Sequence, residues 1–382
     1  MKILAVDIGT GTQDIYLYDS HLDLENGFKL VLPSPTMIIN RCLKEATRQQ
    51  QPVFLHGRIM GGGPSQWAAE AHLRAGLPVY ATPDAARSFN DDLDEIEHMG
   101  IRLVSDDEGR GLPEAVLRLE MHDFDFAAIC EAFALFGVSL SSLAAVAVAV
   151  FDHGNAPPQV SDRQFRFDYL DQRIHSENRL SAFAYQAQNI PPIMTRLQAV
   201  ADSAGDVDAP LVIMDTAPAA VLGSTFDPHL ANRPRRLITN VGNFHTLAFR
   251  LGDDGIEGVF EHHTGLLDRT ALEGLLRALA DGSLRHEDVF DHHGHGALIY
   301  DTRIFPLGTS GFEVAVTGPR RSLLHGGTLD IFYPAPFGDM MITGCFGLLA
   351  AVADVMPELA ESLCASLIGK GGSGTAPWDV LD

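Results

Sequence analysis

The run Ile3-Leu4-Ala5-Val6, then Asp7, then Gly9-Thr10-Gly11-Thr12 leaves the N-terminus little choice of fold. Four consecutive apolar residues fit a buried strand. The glycines favour a tight turn, and Ile15, Leu17 and their tyrosine neighbours alternate as a returning strand. The product is a β-hairpin with a glycine-rich tip. Such a tip lets the backbone approach a ligand and aims successive N–H groups at an anion. Thr10 and Thr12 add hydroxyl donors, and Asp7 can hold Mg²⁺, usually through water. An ordinary small-residue turn fits this stretch equally well, so both readings stand here.

Residues 237–251 rhyme with this segment: strand, turn and strand, with the tip Asn240-Val-Gly242-Asn243-Phe-His245-Thr246. With 382 residues, 46% of them apolar, the chain has material for two domains that share a cleft. Two glycine-tipped hairpins can then grip one phosphate chain from opposite sides. Charge narrows the partners. Fifty acidic against 27 basic residues give a net charge of −23, which argues against nucleic acid or an anionic membrane surface. A nucleotide held by backbone amides and a metal remains compatible. Cys42, Cys130, Cys345 and Cys364 lie far apart, without zinc or iron–sulfur spacing. No signal-like segment opens the chain, and the longest apolar run, residues 143–151, is too short to span a bilayer. A soluble cytoplasmic protein is the expectation.

Between the hairpins, residues 30–39 read as a strand broken by Pro33 and Pro35, followed by a helix over 42–50. Val53-Phe54-Leu55 reads as a strand leading into Met60-Gly-Gly-Gly63 and a helix, either an anion-binding helix N-terminus or a plain strand-to-helix turn. Residues 102–125 read as irregular surface elaboration and 156–190 as an excursion. The strand over 143–150 ends in Asp152-His153-Gly154, and a second buried strand ends at Asp215 before a small-residue helix. Polar groups at the carboxyl ends of such strands are where open α/β sheets place ligand groups. An N-cap role for Asp215 is the alternative. Gly344 and Gly347 mark another small-residue helix, and the tail over 369–382 is expected to fray.

The order of these pieces resembles the actin, hexokinase and heat-shock chaperone ATPase superfamily. Asp7 to Thr12 looks like its first phosphate hairpin, and Asp215-Thr-Ala-Pro-Ala-Ala220 is similar to the start of its first connecting helix. Asn240 to Thr246 resembles its second hairpin, Thr317-Gly318-Pro319-Arg320 its adenosine loop, and Gly344 to Ala351 its second connecting helix. The resemblance implies an α/β protein of two ribonuclease H-like (actin-like ATPase) domains, over 1–225 and 226–382, with a nucleotide cleft between them. It implies ATP and Mg²⁺ as cofactors. Asp7, Asp152 and Asp215 are then the catalytic candidates, with Asp7 also the metal-associated one. Gly9, Thr10, Gly11, Thr12, Gln13, Asn240, Gly242, Asn243, His245, Thr246, Gly318, Pro319 and Arg320 would surround the nucleotide. The second hairpin departs from the pattern, with Asn240 where the superfamily usually has Asp. A slow ATPase that couples cleft closure to a small substrate or protein partner is the leading expectation. A small-molecule kinase and a non-catalytic nucleotide sensor are alternatives.

At finer grain, Met60-Gly-Gly-Gly63, the second hairpin, His262-His263-Thr264-Gly265 and Gly338-Asp339-Met340-Met341 resemble an uncharacterised prokaryotic family. Its label invokes a pyruvate formate-lyase activating enzyme. Such activases need three closely spaced cysteines for an iron–sulfur cluster, and this chain has no such triplet. His262-His263 and His292-His293-x-His295 are either polar surface or a transition-metal site. A metal site there would support a fourth expectation, a metal-dependent hydrolase.

Overall fold

The computed structural model describes residues 1–308, 311–369 and 376–379. Much of the tail expected to fray (370–375 and 380–382) lies outside the described residues. Strands β1 (Lys2–Ile8) and β2 (Thr12–Asp19) form the expected hairpin, and β3 (Phe28–Pro33) extends it. A small parallel sheet follows, made of β4 (Val53–Gly57), β5 (Val79–Ala81), β6 (Arg102–Leu103) and β7 (Leu117–Met121) in the order β6-β5-β4-β7. The chain then returns through β8 (Leu143–Val150), β9 (Ala184–Gln186) and β10 (Leu211–Asp215). These complete a large sheet ordered β3-β2-β1-β8-β10-β9.

The second large sheet contains β11 (Arg236–Val241), β12 (His245–Gly252), β13 (Gly255–His263), β14 (Gly296–Ile299), β15 (Val314–Thr317) and β16 (Ile331–Phe332). Its order is β14-β13-β12-β11-β15-β16. Both large sheets follow one plan. Three antiparallel strands in a meander, β1–β3 or β11–β13, are continued by parallel neighbours, β8 and β10 or β15 and β16. The chain is thus an α/β protein with two mixed sheets, the architecture that the resemblance to actin-like ATPases implies.

The apolar run in β1 is continuous because both faces of its sheet are covered. Leu4 and Val6 enter one core with Phe167, Leu170 and Phe183, while Ile3 and Ala5 enter another with Phe346, Leu348 and Leu349. Full burial of one such large side chain stabilises the fold by about 1.5–3 kcal/mol. The second core is roofed by the helix Thr343–Val355, which crosses the helix Thr216–Ser224 at very close range. A Cβ at Gly223 would overlap the Thr343 carbonyl, and one at Gly347 would overlap the Ala219 carbonyl. Only glycine at both positions lets the two backbones touch.

Several local expectations change. The helix predicted over 42–50 begins at Pro35, because Ser34 is extended and Pro35 takes the first helical turn, where a missing N–H costs nothing. Residues 102–125 are not mere surface elaboration. They contain β7, which pairs in parallel with β4 across some sixty residues of sequence. The excursion over 156–190 holds the helix Asp162–Ser176, whose Arg166 is fully buried. Among the described residues no helix is long and apolar enough to cross a membrane.

Candidate functional site

The tips of both glycine hairpins line one cleft of about 370 Å³, a size suited to a small ligand. The turns close alike: Gly9 N–H donates to the Thr12 carbonyl and Gly242 N–H to the His245 carbonyl, both at 2.9 Å. They come within touching distance, since a Cβ on Gly11 would collide with the Asn243 side-chain amide. The small parallel sheet supplies a third wall, from Met60-Gly-Gly-Gly63 and Trp67 to Asp91. Phe244 at the second tip packs on Trp67, with ring centroids 5.9 Å apart.

At the floor, Asp7, the penultimate residue of β1, accepts a 2.5 Å hydrogen bond from the Thr216 hydroxyl. The N-terminal turn of the helix Thr343–Val355 lies against the same carboxylate, and a side chain at Gly344 would displace it. Asp14 stands directly across the hairpin from Asp7 in the antiparallel register. Burial pushes the Asp7 carboxyl up to about 6, with the Thr216 hydrogen bond opposing and Asp215 adding to the rise. Burial, then the neighbouring Asp7 charge, pushes Asp14 up to about 7. Asp14 Oδ1 is buried without a hydrogen-bond partner in the protein. Two adjacent carboxylates, one with an unsatisfied oxygen, form the all-oxygen donor set that Mg²⁺ takes. Asp14 escaped the sequence reading, although its period-two spacing within β2 would have put it on one face with Thr12.

The other expected residues divide. Gly9, Thr10, Gly11, Thr12, Asp152, Asn240, Gly242, Asn243, His245, Gly318 and Pro319 line the cleft. Gln13, Asp215, Thr246 and Arg320 are absent from its lining, where Arg321 appears instead. Gln13 donates to the Pro33 carbonyl, and Thr246 shares a 2.9 Å hydrogen bond with Thr264. Asp152 accepts backbone N–H groups on both oxygens, from Gly154 at 2.8 Å and Leu197 at 2.9 Å. Its carboxylate thereby ties the end of β8 to the first turn of the helix Thr195–Ser203. Asp215 caps the helix Thr216–Ser224 through Ala217 N–H at 3.1 Å and forms a buried ion pair with Arg166.

Arg166 also reaches Glu261 at 3.2 Å and lies over the Phe151 ring. Burial pushes Glu261 up to about 7, against the pull of Arg166. His245 stacks on Phe151 with centroids 4.3 Å apart, and burial, then the neighbouring His263, holds its imidazole well below the usual histidine range. The histidine pairs noted in the sequence separate: His263 and His295 turn toward His245, whereas His292 and His293 are exposed.

A family model described as "Putative pyruvate format-lyase activating enzyme (DUF1786)" matches residues 60–323, well over half of the chain. No curated protein matches. Among solved structures, the activator of the 2-hydroxyisocaproyl-CoA dehydratase from Clostridium difficile, with bound ADPNP, is 9% identical. The match covers 94% of this chain and 98% of that one, with a TM-score of 0.35. Ethanolamine utilization protein EutJ from Carboxydothermus hydrogenoformans is 10% identical over 91% and 89% of the two chains, with a TM-score of 0.30. The ROK hexokinase from Thermus thermophilus is 11% identical, with a TM-score of 0.24; the match covers 67% of this chain and 47%, less than half, of that one. At these scores the likenesses decide nothing, and the fold stands on strand order and direction. Neither of the two potential metal-binding clusters among the described residues contains a cysteine.

Proposed function

The chain belongs to the DUF1786 family, and from that premise and the geometry of its cleft we propose that it binds ATP with Mg²⁺ and hydrolyses it slowly. The observation that carries this reading is the meeting of the two hairpin tips over one cavity. Their glycines and N–H groups suit a phosphate chain from both sides. Asp7 and Asp14 would hold Mg²⁺, directly or through water, and the ion would neutralise phosphate charge. Thr10 and Thr12 supply hydroxyl donors. The stretch Thr317-Gly318-Pro319 flanks the same cavity at the end of β15, in position to meet the nucleoside. His245 brings its imidazole to the same cavity from the second hairpin, where it would face the phosphate chain.

Asp152 and Asp215 support this site rather than attack: Asp152 is held by two backbone N–H groups and Asp215 by its helix cap and its ion pair with Arg166, and the ordering of water falls to the half-buried Asp14. The halves over 1–225 and 226–382 would close about the helices Thr216–Ser224 and Thr343–Val355, with the latter seated on the first sheet. The third wall favours a second reading, a small-molecule kinase. It places Gly61 to Gly63, Arg87 and Asp91 in the same cavity as the hairpins, where a hydroxylated acceptor would lie.

Thermal shift and phosphate release with Mg²⁺·ATP test the proposal together. We expect stabilisation at ligand concentrations on the order of millimolar, with slow phosphate release in the absence of any acceptor. No shift with or without Mg²⁺ would remove the nucleotide reading. A shift with no phosphate release, and with ADP formed only once a polyol is added, would favour the kinase.

A further inference from the structure

We propose that His245, His263 and His295 form a binding site for a divalent transition metal, zinc foremost, in the wall of the cleft formed by the second sheet. The three residues arrive from three neighbouring strands at their common end. His245 opens β12 and stands opposite His263, the last residue of β13, in the antiparallel ladder. His295 immediately precedes β14, and its N–H donates to the Glu261 carbonyl at 2.9 Å. One ring nitrogen from each lies within 4.8 Å of the other two, and the ring centroids are 4.7 to 5.0 Å apart. Zinc–nitrogen bonds of about 2.0–2.1 Å require nitrogens somewhat closer than that, which a small rotation of the side chains provides.

A second observation points to a ligand. His295 is only 4% exposed, and its Nδ1 has no hydrogen-bond partner in the protein. Glu261 is fully buried and its Oε1 is also unpartnered, although the two atoms are only 3.5 Å apart. Buried polar atoms are mostly paired, and unpaired ones call for a partner such as water or an ion. A carboxylate behind the outward nitrogen of a ligating histidine is the usual support for an imidazole on zinc, fixing its tautomer and raising its basicity. With Nδ1–H given to Glu261, His295 offers Nε2 to the metal. Arg166 holds Glu261 from the other side at 3.2 Å and so keeps that carboxylate in place.

The donor set selects the metal. Three imidazoles suit zinc and its transition-metal neighbours, not Mg²⁺ or Ca²⁺, which take oxygen ligands. Three protein ligands leave a fourth position for water or an oxygen ligand, as in catalytic rather than structural zinc sites. His245 itself lines the cleft. The site therefore lies beside the second hairpin, where Asn240 supplies no charge, whereas the carboxylates Asp7 and Asp14 belong to the first.

The test needs no nucleotide, so its outcome is independent of the ATP reading. Protein stripped with chelator is titrated with Zn²⁺ by calorimetry and with Co²⁺ by absorption spectroscopy. We expect one metal per chain and a cobalt spectrum of the four-coordinate, nitrogen-rich type. His263→Ala should weaken binding at least about 100-fold, and Glu261→Gln about 10- to 100-fold, the usual effect of losing an outer-shell partner. A double His292→Ala, His293→Ala variant should bind as the native protein does. Absence of stoichiometric binding would overturn the proposal, as would loss of binding in the double variant with retention in His263→Ala. Should His263→Ala fail to fold, the cobalt spectrum of the native protein decides: an oxygen-dominated octahedral spectrum overturns the assignment.

Discussion

The two glycine hairpins share a backbone and differ in chemistry. Each turn is closed by a glycine N–H to a carbonyl three residues on. In each, the residue two before that glycine faces a residue seven further along the chain. In the first hairpin the pair is Asp7 and Asp14; in the second it is Asn240 and Leu247. One scaffold thus carries two carboxylates in one half and none in the other. Where the first turn ends in Thr12, the second ends in His245, within reach of two further histidines. The repeated fold sets where groups stand, and the residues that fill those places give the first hairpin carboxylate oxygens and the second an imidazole.

The sharpest way to break this comparison is Asp7→Ala. It should weaken Mg²⁺-dependent nucleotide binding by about 100-fold, the scale of a lost charged contact of about 3 kcal/mol. Calorimetry with Mg²⁺·ATP checks it, and undiminished binding would mean that the first hairpin is not the metal-bearing one. Asn240→Asp restores the missing carboxylate at the matching place in the second hairpin. Phosphate release should rise about tenfold while affinity stays within about threefold, because a positioned acid–base group acts mainly on the rate. An unchanged rate would show that the asymmetry is not what limits turnover.

A smaller effect concerns the meeting of the tips. Gly11→Ala presses on the Asn243 amide and should weaken nucleotide binding about fivefold. Adding Asn243→Ala should recover part of this loss, with a coupling of about 1 kcal/mol in a double-mutant cycle. Strict additivity would separate the hairpins in solution.

The last prediction concerns pH. In the fold Asp7 and Asp14 are raised from 3.8 to about 6 and about 7. The folded protein therefore keeps these protons after the unfolded chain has released them. Their contribution to stability is complete below 3.8 and is lost as pH rises through about 6 and 7. Thermal unfolding without metal should show Tm falling over this window by a few degrees. Mg²⁺ should offset the fall, and Asp14→Asn should flatten it.

The hairpins were legible in the sequence because their signals are local: an apolar run, a turn of glycines, an alternating return. Asp215 as a helix cap was legible for the same reason. Asp14 and the three-histidine cluster were not, because each depends on register between strands. His263 meets His245 only because β13 pairs with β12 in one alignment, and a shift of one residue would send His262 there instead. β7 was hidden in another way: a five-residue strand with charged alternate positions declares itself only once β4, far upstream, lies beside it. Arg166 sits in a helix with many charged residues, so nothing local distinguishes it from its solvated neighbours.

The bare contact at Gly223 and Gly347 governs how the molecule can flex. At Gly223 and Gly347 themselves no side chain stands between the two backbones, so at that point there are no rotamers to exchange. A pivot of the two helices about their crossing point, as of two rods pinned together, would be magnified with distance along the lever toward the hairpin tips. Even one methyl group wedged into that fulcrum would press on the backbone of Thr343, at the rim of the cleft, and so would alter its resting gape.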